Sequence, residues 1–69
     1  MKFTMKQARN LKGLSQKEMA KRLNVGITTY QHYENLHDGR IRLGKALEFS
    51  KIVNIPMDDI IFFANKVHS

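Results

Sequence analysis

The stretch SQKEMAKRLNVGITTYQHYEN, residues 15–35, encodes two short helices joined by a tight corner. Ser15 is a good N-cap, and Glu18 follows at the spacing where each side chain satisfies the other's backbone N–H. Leu14 before the cap and Met19 after it are placed to close a hydrophobic staple. Met19, Ala20 and Leu23 then line one face of a helix over Gln16–Leu23. Asn24 stands where that helix ends, and asparagine is the best non-glycine residue for the left-handed conformation that stops a helix. Val25 plugs the corner and Gly26 caps the next helix. A second amphipathic run goes from Ile27 to Asn35.

The flanking sequence has the same character. Thr4 and Gln7 form another capping box, opening a helix over Met5–Lys12 that Gly13 ends. Leu36 to Ile41 reads as a loop, marked by His37-Asp38-Gly39. Leu43, Ala46, Leu47, Ser50 and Val53 keep helical spacing and predict a fourth helix over Leu43–Val53. Asn54-Ile55-Pro56 is a break, because proline disfavours helix at the residue before it. A fifth helix is predicted over Met57–Lys66, with Asp58 and Asp59 in its first turn, where the helix dipole favours negative charge. No period-2 alternation competes with the helical reading. The expectation is an all-α fold of five short helices in a single domain, residues 1–69.

The pattern resembles the helix-turn-helix of Cro and the lambdoid repressors, often called the XRE family. Ser15-Gln16, Glu18, Ala20, Leu23, Val25, Thr28-Thr29 and Glu34-Asn35 carry the resemblance, which extends from Met5 to Phe62. It implies a compact five-helix, lambda-repressor-like DNA-binding domain with its helix-turn-helix at 15–35. The function implied is sequence-specific binding of double-stranded DNA, as in a small transcriptional repressor of phage or mobile-element type. Gly26 departs from the usual Ser or Thr cap, and Tyr30 from the usual Ile or Val. A buried tyrosine ring fills more volume, and its hydroxyl needs a partner or water.

Charge fits that reading. The chain has 69 residues, no cysteine and a formal net charge of +6. Residues 1–22 hold Lys2, Lys6, Arg9, Lys12, Lys17, Lys21 and Arg22 against the single acid Glu18. Arg40, Arg42 and Lys45 form another basic cluster, whereas residues 54–65 carry Asp58 and Asp59 and no base. A phosphate-facing side and a partner-facing side are expected from such asymmetry. The N-terminus lacks the apolar stretch of a signal peptide, and no run approaches the roughly 18 apolar residues of a membrane span. A cytoplasmic protein without membrane attachment is expected.

On the second helix of the motif, Tyr30 and Tyr33 fall toward the body of the domain, while Thr28, Gln31, His32 and Asn35 fall opposite. That opposite side is polar and hydrogen-bonding, suited to base edges and phosphates. The resemblance maps base contacts to Ile27, Thr28 and His32, with Gln31 beside them. Thr28 can bond a base or touch a thymine methyl, Ile27 can only pack on a methyl, and Gln31 can pair with adenine N6 and N7. His32 can donate to guanine N7 or O6, or to a phosphate. Gln16, Thr29 and Asn35 match backbone-phosphate contacts, and Arg40 and Arg42 match basic residues that reach phosphates or the minor groove. Arg9 and Glu34 match an ion pair tying the first helix to the end of the third, with Arg9 also near a phosphate.

Ile60, Ile61, Phe62 and Phe63 are consecutive and surround more than one face of a helix. A Phe there is either an incompletely buried core residue or an interface residue, and for Phe62 and Phe63 a dimer interface is the favoured reading. A homodimer of this family reads a near-palindromic site with recognition helices about 34–36 Å apart. The alternative is an antitoxin or protein-partner-binding module that docks another protein through the C-terminal helix. An enzyme is not expected: there is no Ser-His-acid constellation with plausible geometry, no phosphate-cradling glycine loop, and no carboxylate pair beyond Asp58-Asp59. No cofactor is expected, and no metal site, since no carboxylate completes a set with His32 and His37.

Overall fold

The computed structural model describes residues 1–36 and 41–62, Leu36 by its backbone alone. Helix α1 (Met5–Lys12) starts where its capping box closes: Gln7 N–H donates to Thr4 Oγ1 at 3.0 Å, and Thr4 N–H donates to Gln7 Oε1 at 2.9 Å. Gly13 ends it at φ +80°, a conformation that costs glycine little. Helix α2 (Gln16–Leu23) repeats the device, with Glu18 N–H on Ser15 Oγ at 3.0 Å and Ser15 N–H on Glu18 Oε1 at 2.8 Å. Asn24, at φ +59°, ends α2 in the left-handed region.

Helix α3 (Ile27–Leu36) begins past the corner, where Tyr30 N–H donates to the Gly26 carbonyl at 3.0 Å. Helix α4 (Leu43–Val53) ends on another left-handed asparagine, Asn54, at φ +58°. Lys45 on α4 donates to the Leu23 carbonyl at 2.6 Å, satisfying a free acceptor in the last turn of α2. The core runs between these helices. Tyr30, Phe49, Met5, Met19 and Leu23 are its largest fully buried side chains.

The chain end corrects the five-helix expectation. The described residues contain four α-helices, and the helix predicted over Met57–Lys66 is absent as far as Phe62. Met57–Asp59 forms one 3-10 turn, and Ile60–Ile61 is a short strand, β2, paired parallel to β1 (Phe3–Thr4) with Phe3 opposite Ile60. Residues 63–66 of the expected helix lie outside the described residues.

Local residue types permit the change, and pairing with β1 decides it. Two adjacent β-branched isoleucines are stiff at χ1 and suit an extended backbone. Ile60 and Phe62 are both buried while Ile61 between them is only partly so, which is strand periodicity. Phe62 packs edge-on against Phe49, ring centroids 5.9 Å apart, and is 6% exposed. Its expected place at a dimer interface is therefore corrected: the ring belongs to the subunit's own core. Phe63 lies outside the described residues.

Candidate nucleic-acid interface

The back of α3 is held by one buried carboxylate. Glu34 accepts from Arg9 Nε at 2.6 Å and from the Tyr30 hydroxyl at 2.5 Å on Oε2. Its Oε1 accepts from Gln16 Nε2 at 3.0 Å and from Arg9 Nη2 at 3.3 Å. A carboxylate offers about four lone-pair sites, so this one is fully satisfied. Arg9 also donates from Nη1 to the Leu14 carbonyl at 2.7 Å, fixing the corner between α1 and α2. Burial on its own pushes the Glu34 carboxyl up, but the hydrogen bonds from Arg9, Tyr30 and Gln16 outweigh it and hold the group below the usual carboxylate range. The hydrogen bond to Glu34 raises the Arg9 guanidinium further, against a smaller opposing effect of burial. Burial, reinforced by Glu34, pushes the Tyr30 phenol well above its ordinary value.

The Arg9–Glu34 pairing expected from the sequence is thus present, and the Tyr30 hydroxyl has its partner. The pair also buries most of the Arg9 side chain. Its side chain is 9% exposed and three of its nitrogens are engaged inside the domain. Arg9 supports α3 from behind, and its expected phosphate contact is left to the small exposed part of its side chain.

The front of α3 is open. Thr28, Thr29, His32 and Asn35 are exposed, and Ile27 is 40% exposed at its N-terminal edge. Gln31, expected beside them, is only half-exposed, and its Nε2 donates to Gln16 Oε1 at 3.3 Å. Gln16 joins α2 to α3 through its side chain, while its backbone N–H lies in the first turn of α2, where such groups point at anions. Arg42 is exposed just before α4. Arg40 falls outside the described residues.

Two lysines were not singled out in the sequence. Lys17 and Lys21 line an open cleft of about 550 Å³ with Ala20, Val25 and Ile27, at the junction of α2 and the start of α3. Their i, i+4 spacing on the exposed side of α2 was the available signal. Short polar side chains on α3, the N-terminus of α2 and the lysines beside the cleft are group types suited to a polyanion with readable edges. Among the described residues, no group of His, Cys, Asp and Glu is arranged to hold a metal ion, and no helix is long and apolar enough to cross a membrane. In comparison with known proteins, residues 5–60 match a family model described as helix-turn-helix. No curated protein and no solved structure matches the chain.

Proposed function

Because the chain belongs to the helix-turn-helix family of Cro and lambdoid-repressor type, we propose that it is a sequence-specific double-stranded DNA-binding regulator of transcription, acting as a small repressor of phage or mobile-element type in the cytoplasm. The observation that carries this reading is the two-sided character of α3. Its rear is bolted through Tyr30 and Glu34 to α1, and its front presents Thr28, His32 and Asn35 to solvent. A rigid rod with a free polar face is what direct reading of the major groove requires.

In this proposal Ile27, Thr28, His32 and Gln31 face base edges. Gln16, Thr29, Asn35, Arg40 and Arg42 meet phosphates, joined by Lys17 and Lys21 beside their cleft. Two copies occupy a near-palindromic site, which sedimentation of the DNA complex checks directly. The protein-partner alternative has lost its Phe62 anchor, which is buried. Selection of bound sites from random duplex DNA tests the proposal. A recurrent site with half-sites one helical turn apart supports it; an unenriched pool rejects it.

A further inference from the structure

The side chain of Gln31 is not free to choose which end of its amide it shows. The constraint begins at Glu34. An ionised carboxylate only accepts hydrogen bonds, and Arg9 holds Glu34 ionised through two contacts, at 2.6 and 3.3 Å. Gln16 can therefore meet Glu34 Oε1 only with its amide nitrogen, as it does at 3.0 Å. That turns Gln16 Oε1 toward α3, where it accepts from Gln31 Nε2 at 3.3 Å. Each link fixes the direction of the next. One N–H of the Gln31 amide is taken inward by Gln16, and its carbonyl oxygen lies on the other branch of the amide.

We propose that Glu34, acting through Gln16, sets the hydrogen-bonding polarity that Gln31 shows to DNA, so that Gln31 reads an exocyclic amino group. A carbonyl turned to the groove accepts from adenine N6 or cytosine N4 and is repelled by guanine O6 and thymine O4. Gln31 is the reading residue; Gln16 and Glu34 are positioning residues that decide what it reads. This rests on the DNA-binding reading above and extends it to one base.

The test is site selection from random duplex DNA by the wild type, Gln31→Met, Gln16→Met and Glu34→Gln. In the wild type, one position per half-site favours adenine or cytosine by about fivefold, the worth of one neutral hydrogen bond, and Gln31→Met abolishes that preference. Gln16→Met frees the Gln31 amide to turn, so discrimination at that position collapses while the rest of the site is still selected. In Glu34→Gln the new amide offers a donor to Gln16, the chain of bonds reverses, and on the strand where the wild type favours adenine or cytosine the preference shifts to guanine or thymine. Should Glu34→Gln fail to fold, Gln16→Met decides alone. A wild-type preference that Gln31→Met leaves intact at every position, undiminished discrimination in Gln16→Met, or a folded Glu34→Gln that keeps the wild-type preference on the same strand overturns the proposal. A wild type that selects no site at all instead overturns the DNA-binding reading on which it rests.

Discussion

Tyr30 shows how one side chain links stability to function. Its ring is fully buried in the core and its hydroxyl closes the last acceptor of Glu34. Tyr30→Phe keeps the ring and deletes a hydrogen bond to a charged group, so urea unfolding should show a loss of about 1.5–3 kcal/mol. Arg9→Ala is more severe, because it leaves a buried carboxylate unpaired, and should cost about 3–5 kcal/mol. An unchanged thermal midpoint in Arg9→Ala would reject the pairing. The pH dependence follows from the directions of the shifts. Glu34 is depressed in the folded state, so its contribution is present above the ordinary glutamate pKa of about 4.3 and is lost as pH falls through the lower folded value. Tyr30 is raised, so its contribution is present below the ordinary tyrosine pKa of about 10 and is lost as pH rises beyond it. The urea midpoint should therefore fall on both sides of neutrality, and Tyr30→Phe should lessen the alkaline fall. A midpoint that stays constant down to about pH 2.5 contradicts the depressed carboxyl.

Helices α1, α2 and α4 have the bounds that caps and spacing predict, and α3 runs one residue further, to Leu36. Thr4 with Gln7, Ser15 with Glu18, Gly13 and Asn24 act over a few residues, so the sequence around each suffices to read it. The strand at Ile60–Ile61 was not readable in that way. Its partner, Phe3–Thr4, is at the other end of the chain, and nothing near Ile60 announces a pairing of that range. Four consecutive apolar residues suit a helix or a strand equally, and the tertiary contact decides. Lys2, whose Nζ donates to the Asp58 carbonyl at 2.6 Å, adds a tie between the same two ends. At the interface, the outward side of α3 was legible from periodicity, whereas the Gln16–Gln31 link joins residues fifteen positions apart and needed the packing of α2 on α3. Phe62→Ala tests the corrected element. A core ring removed from beside Phe49 should destabilise the isolated subunit by about 3–5 kcal/mol in urea unfolding, whereas a purely intersubunit Phe would leave monomer stability almost unchanged.

Over the whole molecule, among the described residues, Lys17 and Lys21 flank the junction of α2 and α3 and Arg42 is exposed just before α4, while Arg9 is paired internally. Each phosphate neutralised should add about −0.9 to the slope of log K against log salt concentration. Arg42→Glu should flatten that slope on every duplex sequence alike, and Thr28→Ala or His32→Ala should change which sequence is preferred while leaving the slope nearly as it was. Equal slopes for wild type and Arg42→Glu would remove Arg42 from the phosphate set. The most direct measurement is an equilibrium titration of the wild-type chain, at fixed salt near 0.15 M, against its selected duplex and a scrambled duplex of the same composition. A face that reads bases should bind the selected duplex on the order of 10³-fold tighter or more; equal affinity for the two would show that the front of α3 reads nothing.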